Sequence, residues 1–199
     1  EIFFPQVKEP RHFQWDYYND IYYNNIKAKS YSSKNDYLKL FQTKRKYKYY
    51  AEASPSYLYA YDSASQIKEE YPDAKILIIL RNPIDRCFSN YTLRHASGRE
   101  KLTFGECIDY EINFLKHRRD GSRHYIRQGF YSNGIKAYKE IFGDNVGFFL
   151  YDDLKKNSNL LISSILDFLD LNKTNKINTN FIAQQSKVNK PNFYKKLKK

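Results

Sequence analysis

The chain has 199 residues, enough for one ordinary domain with a hydrophobic core but too few for two comfortable ones. Its 34 Lys and Arg residues against 22 Asp and Glu residues give a net charge of +12. That excess suits anionic partners, such as a nucleotide, an acidic glycan, nucleic acid or a membrane surface, and selects none of them.

Several classes of function find no support in the sequence. The four His residues have no metal-ligand spacing with Cys or acidic residues, and no apolar run approaches the length of a membrane span. Cys87 and Cys107 both fall within predicted helices, which offers no disulfide framework and indicates a reducing, cytoplasmic compartment.

The first third of the chain predicts few regular elements. Residues 1–13 read as an irregular aromatic segment, and residues 15–33, rich in Tyr and Asn, are also predicted to be irregular. A short amphipathic helix is expected over 36–41 and an aromatic strand over 47–51. A further helix is expected over 63–71, ended by Pro72.

Residues 73–91 are the stretch around which the rest is organised. Ile76 to Leu80 are apolar without alternation, which predicts a strand buried on both faces, as in a parallel sheet. Asn82 can cap a helix, and Pro83 suits the first helical position because its φ is already set. The segment therefore predicts a strand, a tight turn and a helix.

Two polar residues of this stretch form a candidate anion site. Arg81 would lie at the carboxyl end of the strand, beside a helix N-terminus whose free N–H groups attract anions. Ser89, about two helical turns after Asn82, returns to the same face. A guanidinium fork and a hydroxyl together suit a phosphate. The alternative is that Arg81 pairs with Asp85 and Ser89 faces solvent.

The second half of the chain predicts helices around one more strand. Thr103 and Glu106 make a capping box for a helix whose buried stripe would be Ile108, Ile112 and Leu115. A later helix is expected to end at Gly143–Asn145, followed by a strand over 146–151 and a helix capped by Ser158. Basic residues between these elements form either a solvated surface or a wall facing an anionic acceptor: Lys116, Arg118, Arg119, Arg123 and Arg127.

The run Arg81-Asn82-Pro83, followed by Ser89 and Tyr91, resembles the sulfotransferases that use 3′-phosphoadenylyl sulfate (PAPS), especially the branch related to heparan sulfate and other carbohydrate sulfotransferases. In that family the matching Arg and Ser hold the 3′-phosphate of the cofactor. The resemblance implies an α/β, P-loop-NTPase-like three-layer fold, with a central mostly parallel sheet and helices on both faces. It also implies that residues 1–199 form a single domain.

The resemblance extends to a segment that would carry the catalytic base. Lys8-Glu9-Pro10, with His12-Phe13 just behind, resembles the family's Lys-Glu-Pro-His-Phe stretch, with Arg11 interrupting the pattern. It implies that Glu9 is the general base. His12 is the alternative, because an imidazole titrates closer to neutral pH. The structural alternative is that Glu9 forms a salt bridge with Lys8 or Arg11.

Further stretches match the family's pattern. Glu52-Ala-Ser-Pro-Ser-Tyr57 resembles its Glu-x-Ser/Thr-Pro-x-Tyr turn near the substrate cleft. The block from Gly129-x-Tyr131 to Tyr151-x-Asp153-Leu154 also matches and implies that Tyr131 contacts the cofactor. Where the family has a basic loop that closes over the cofactor, this chain carries three candidate ligands: Ser186, Lys187 and Lys190.

One expected feature has no counterpart in the sequence. The family carries, upstream of the segment around Glu9, a loop of Lys, Gly and hydroxyl residues that cradles the 5′-phosphosulfate. None of the seven Gly residues stands in such a loop, so the domain is expected to be N-terminally incomplete and inactive if nothing precedes Glu1. A eukaryotic member with an upstream anchor would instead reside in the Golgi lumen.

The expected function is transfer of a sulfuryl group from PAPS to a hydroxyl or amine of a carbohydrate or small-molecule acceptor, with an anionic acceptor favoured by the basic residues. One alternative is a nucleotide-dependent kinase of similar fold, which needs a full phosphate loop and an acidic Mg²⁺ ligand at a strand end. The other is a basic nucleic-acid-binding module, for which the chain shows charge and abundant Tyr but no signature.

Overall fold

The computed structural model describes residues 1–14, 31, 33–60, 62–117 and 124–172. Within them, short 3₁₀ turns lie at His12–Gln14, Pro55–Leu58, Arg127–Gly129 and Gly143–Asn145. The strands and helices in chain order are β1 (Ile2–Phe3), α1 (Lys34–Lys39), β2 (Tyr49–Tyr50), α2 (Ser63–Glu70), β3 (Ile76–Leu80), α3 (Pro83–Ala96), α4 (Phe104–His117), α5 (Ser132–Phe142), β4 (Val146–Leu150), α6 (Tyr151–Lys156) and α7 (Ser158–Phe168).

These elements form two compact units, which we describe separately. The first unit comprises residues 1–76 and 131–146, and the second comprises residue 77 onward to 130 and residue 147 onward. Four of the described strands form two two-stranded sheets, β1 with β2 and β3 with β4. The mixture of helices and paired strands agrees with the expected α/β class.

In the first unit, the N-terminal strand β1 pairs with β2, which lies far from it in the sequence. β1 and β2 run parallel, with Ile2 opposite Tyr49 and Phe3 opposite Tyr50. The sequence predicted a strand near 47–51 but no partner for it, because a pair of two-residue strands gives no periodic signal. The pairing ties the chain entrance to the segment that leads into residues 52–57.

Helices α2 and α5 supply much of the first unit's buried surface. Tyr138 and Phe142 of α5 are buried, and the Tyr138 hydroxyl donates to the carbonyl of Tyr57 at 3.3 Å. At Gly134 the backbone of α5 approaches the 3₁₀ turn so closely that a Cβ would lie 2.1 Å from the carbonyl oxygen of Leu58. A side chain therefore does not fit at this position.

The second unit is built around α3, α4 and the turn at Arg127–Gly129. Its core is an aromatic and thiol cluster to which both long helices contribute: Cys87, Phe88, Tyr91, Phe104, Cys107 and Tyr125. The Tyr91 hydroxyl donates to the carbonyl of Leu102 at 3.2 Å, which ties α3 to the loop before α4. This core fixes the helix that follows β3 and carries Ser89.

Strand β3 has the predicted bounds but not the predicted burial. Ile78 is 8% exposed, whereas its neighbours Leu77 and Ile79 are 40% and 51% exposed. Successive side chains of a strand point to opposite faces, so one face of β3 is covered and the other is open. The expectation of burial on both faces was wrong, because an uninterrupted apolar run does not distinguish one covered face from two.

Two other local predictions also need correction. The capping box of α4 is present, with Thr103 N–H donating to Glu106 at 2.7 Å, but Ile112 is 39% exposed. Ile108 is partly buried against the core, as predicted, and the side chain of Leu115 lies outside the described residues. Among the described side chains of α4, the buried ones are Phe104, Cys107 and Glu111. At α7 the cap is Asn157, whose side chain accepts from the Leu160 N–H at 3.1 Å, in place of the expected Ser158.

Within the part of the chain that the structure describes, no helix is both long and apolar enough to cross a bilayer. The same residues contain no group of three or more His, Cys, Asp or Glu side chains that could hold a metal ion.

Candidate functional site

The junction of β3 and α3 has the predicted strand, turn and helix. β3 ends at Leu80, Arg81 follows it directly, and α3 begins at Pro83. The side-chain oxygen of Asn82 accepts from the N–H groups of Ile84 and Asp85 at 3.0 and 3.2 Å. The predicted cap is confirmed, and it places Arg81 at the carboxyl end of the strand.

The cap also changes how an anion can be bound here. Pro83 has no N–H, Asn82 already engages those of Ile84 and Asp85, and the Arg86 N–H donates to the Asn82 carbonyl at 2.9 Å. The expectation that this helix end offers free N–H groups was therefore wrong. Electrostatic attraction to the helix N-terminus remains, but hydrogen bonds to an anion must come from side chains.

Arg81 and Ser89 are the side chains predicted to supply them. Ser89 lies on α3, about two turns beyond the cap, and is half-buried like Arg81. The Arg81 guanidinium lies over the ring of Tyr151, 5.1 Å from the ring centroid. Because Tyr151 directly follows β4, the contact places the carboxyl ends of β3 and β4 at the same edge of their sheet.

A neighbouring segment is held against the start of α3. A Cβ at Gly129 would lie 3.0 Å from Cβ of Pro83, so the 3₁₀ turn rests on the first turn of the helix. The guanidinium of Arg86 donates to the side chain of Gln128 at 3.3 Å and to the carbonyl of Tyr125. These contacts bring the segment that leads to Gly129 beside the Arg81 end of the helix.

A buried carboxylate completes this arrangement. Glu111 is 1% exposed, and its two oxygens accept from the N–H groups of Ile126 and Arg127, each at 2.8 Å. Burial raises the pKa of Glu111, while the backbone hydrogen bonds and the charge of Arg86 oppose that rise. The burial of Glu111 was not predicted, since a Glu in the middle of an amphipathic helix normally indicates an exposed position.

The predicted general base lies on an unusual backbone in the first unit. Glu9 and Arg11 have φ of 51° and 56°, in the left-handed region. The Arg11 guanidinium donates to Oε2 of Glu9 at 2.6 Å, so the ion pair considered as the structural alternative is present. A carboxylate has about four acceptor sites, so this bond leaves acceptor capacity for a substrate proton.

His12, the alternative base, is packed among aromatic rings. It is 9% exposed and stacks on Tyr37 with 4.3 Å between ring centroids. Its Nδ1 is hydrogen-bonded to the carbonyl oxygen of Tyr31. A carbonyl can only accept, so Nδ1 is assigned as the protonated nitrogen, and in the neutral ring Nε2 is the one able to accept a proton.

The structure describes only some of the other predicted site residues. Tyr131 is half-buried and immediately precedes α5 in the first unit, which also contains Glu9 and His12. Arg81 and Ser89 belong to the second unit. Outside the described residues lie Ser186, Lys187, Lys190, Arg118, Arg119 and Arg123.

Comparison with known proteins identifies the family. A family model described as "Sulfotransferase family" matches residues 9–175, which is most of the chain. The chain belongs to the sulfotransferase family. The match includes both the segment around Glu9 and the junction at Arg81, so the resemblance read from these residues is confirmed.

Individual relatives agree with the family match. The chain is similar to human Sulfotransferase 6B1, 33% identical over 96 residues that make up 48% of this chain and 29% of the human protein. It is similar to gorilla Sulfotransferase 6B1, 34% identical over 97 residues, again 48% of this chain and 29% of the relative. The chain thus spans under a third of the length of the curated relatives it matches.

A solved structure supports the fold over a greater length. A sulfotransferase from Alicyclobacillus acidocaldarius superposes with a TM-score of 0.81 at 25% identity, covering 98% of this chain and 78% of the bacterial one. The expected α/β, P-loop-like fold class is confirmed by this neighbour. The family favours sulfuryl transfer over the kinase and nucleic-acid-binding alternatives.

Proposed function

We propose that this sulfotransferase moves a sulfuryl group from PAPS to a hydroxyl or amine of an acceptor, with a carbohydrate as the favoured acceptor class. The observation that carries the proposal is the strand-end guanidinium of Arg81, followed by a capped helix with Ser89 two turns along, in a chain of this family. Residues 1–199 are proposed to belong to one sulfotransferase domain.

The donor groups at the β3–α3 junction fit a phosphate. Arg81 presents a planar fork of N–H donors, and Ser89 adds a hydroxyl. The N–H groups of the helix are already engaged, so these two side chains would recognise the 3′-phosphate that distinguishes PAPS from ordinary adenine nucleotides. Tyr131, Ser186, Lys187 and Lys190 are proposed as further cofactor contacts.

Sulfuryl transfer requires one proton acceptor and neutralisation of the charge on the leaving phosphate. An acceptor hydroxyl must be held in line with the sulfur and lose its proton as it attacks. Glu9 is the proposed general base, with His12 as the alternative through Nε2. PAPS, when bound, supplies the sulfuryl group, and Lys187 and Lys190 are proposed to neutralise charge on the leaving phosphate.

A nucleotide titration of the full-length protein tests the proposal. Thermal shift is measured with 3′-phosphoadenosine 5′-phosphate and with AMP on the wild type, on Arg81→Ala and on Arg99→Ala, an exposed Arg of the same unit. We expect the bisphosphate to stabilise the wild type and Arg99→Ala more than AMP does. Arg81→Ala should lose this preference, and an Arg81→Ala protein that keeps it would overturn the assignment.

A further inference from the structure

The backbone that carries the proposed base is held in a conformation its residues do not favour. Neither Glu9 nor Arg11 is a glycine, yet both have positive φ, and Pro10 between them is buried. Left-handed conformations cost free energy for residues with a Cβ, so they persist only where surrounding contacts fix them.

Two backbone N–H groups on either side of His12 provide such contacts. The N–H of Arg11 donates to the hydroxyl of Ser54 at 3.2 Å. The N–H of Phe13 donates to the hydroxyl of Tyr57 at 3.4 Å. His12 is therefore flanked by two backbone hydrogen bonds, and both acceptors come from the turn at residues 52–57.

Both hydroxyls are in turn oriented by one carboxylate. Ser54 donates to Oε2 of Glu52 at 2.7 Å, and Tyr57 donates to Oε1 of the same residue at 2.6 Å. Each hydroxyl has a single hydrogen, so donating it to Glu52 leaves the oxygen as an acceptor for the backbone N–H. The two oxygens of Glu52 thus serve two parallel chains of hydrogen bonds.

The hydrogen bonds of Ser54 and Tyr57 depend on the carboxylate of Glu52. Burial raises the pKa of Glu52, and the hydrogen bonds from Tyr57 and Ser54 and the charge of His12 oppose that rise. Burial and the nearby charge of Glu52 raise the pKa of Tyr57, which keeps its hydroxyl protonated and able to donate. An unmet acceptor or donor in such a partly buried network is costly.

We infer that Glu52 is a positioning residue for sulfuryl transfer, which acts through Ser54 and Tyr57 to fix the backbone around His12 and so the direction of Glu9 and His12. The inference rests on the proposed function, in which Glu9 or His12 takes the acceptor's proton. It adds to that function a residue that need not touch the substrate. A small displacement of a reacting group is enough to slow a reaction strongly.

Glu52→Gln is the direct test, because it keeps the shape of the side chain and replaces one acceptor oxygen with an NH₂ donor. In the full-length protein we expect kcat to fall at least about tenfold, with an unchanged KM for PAPS and unchanged binding of 3′-phosphoadenosine 5′-phosphate. Glu69→Gln, an exposed Glu of the same unit, is the matched control and should keep the wild-type kcat.

A second measurement does not depend on turnover. Amide hydrogen exchange at Arg11 and Phe13 should be faster in Glu52→Gln than in the wild type or Glu69→Gln. Ser54→Ala should accelerate exchange mainly at Arg11, and Tyr57→Phe mainly at Phe13, since each removes one of the two chains. Ser54→Ala and Tyr57→Phe also test the inference if Glu52→Gln does not fold.

The outcomes separate this inference from the proposed function. A Glu52→Gln protein with wild-type kcat, beside a Glu9→Gln protein that has lost turnover, would overturn the positioning role and leave the proposed function intact. A wild-type protein that neither binds the bisphosphate nor transfers a sulfuryl group would overturn the proposed function. In that case the positioning role in sulfuryl transfer would be overturned with it, whatever the exchange rates at Arg11 and Phe13.

Discussion

The guanidinium of Arg81 lies over the ring of Tyr151, with 5.1 Å between its central carbon and the ring centroid. Arg81 directly follows β3, and Tyr151 directly follows β4, so the contact joins the ends of two neighbouring strands. The Lys155 ammonium also lies 4.9 Å from the centre of this ring. An aromatic face attracts cations, so the ring of Tyr151 can hold the Arg81 guanidinium at a defined place.

Replacing Tyr151 therefore tests whether the ring positions Arg81 for the nucleotide. Tyr151→Leu should weaken binding of 3′-phosphoadenosine 5′-phosphate roughly two- to fivefold, which corresponds to a cation–π interaction of about 0.5–1 kcal/mol. Tyr151→Phe keeps the ring and should bind nearly as well as the wild type. Isothermal titration calorimetry at fixed ionic strength measures both, and equal affinities for Leu and Phe variants would show that the ring plays no such part.

Gly134 provides a prediction about stability in the first unit. A Cβ there would lie 2.1 Å from the carbonyl oxygen of Leu58 and 2.8 Å from its Cδ1. Backbone cannot move aside as a flexible side chain can, so Gly134→Ala should lower the free energy of unfolding by about 1–3 kcal/mol, as overpacking does elsewhere. Urea denaturation followed by circular dichroism gives the value.

Gly105 is the matched control for that substitution. It also lies in a helix, α4, but a Cβ there would meet nothing within 4 Å. Gly105→Ala should leave stability unchanged or raise it by up to about 1 kcal/mol through helix propensity. If both substitutions changed stability alike, the close approach at Leu58 would not be the cause.

His124 should make the stability of the second unit depend on pH. It is buried, and burial together with the charge of Arg127 lowers the pKa of His124 to about 4. The unfolded chain therefore binds a proton at higher pH than the folded protein does. The stabilisation is complete above the unfolded pKa of about 6.5 and is lost as pH falls toward 4.

The measurement compares His124→Gln with the wild type, because buried carboxyls whose pKa is raised act in the opposite direction in both proteins. The melting temperature of the wild type should fall further than that of His124→Gln between pH 7 and pH 4.5. The difference in unfolding free energy should be of order 1–3 kcal/mol. Parallel pH profiles would contradict the assignment of a neutral buried imidazole.

Signals carried by neighbouring residues could be read from the sequence. The cap at Asn82, the proline at the start of α3, and the capping box of Thr103 and Glu106 each depend on residues within one helical turn, and the structure has all of them. The location of Arg81 at a strand end followed from the same local pattern, whereas its role remains a prediction.

Features that depend on distant partners could not be read in this way. Glu111 is buried because its carboxylate binds backbone 15 and 16 residues later. Glu52 is half-buried because its carboxylate accepts hydrogen bonds from the hydroxyls of Ser54 and Tyr57. Charged residues in a sequence normally indicate exposed positions, so neither was expected inside. The Tyr151 contact was missed for a related reason, since it requires knowing which strands are neighbours.

The two thiols in the core of the second unit can report when that core opens. Cys87 and Cys107 are 7% and 0% exposed, and burial raises the pKa of Cys87 to about 11, so this thiol stays protonated and shielded at neutral pH. An alkylating reagent can reach them only in molecules whose core has opened. The rate of cysteine alkylation, followed as an increase in mass, would therefore measure how often the core opens in the natural protein, without any attached dye.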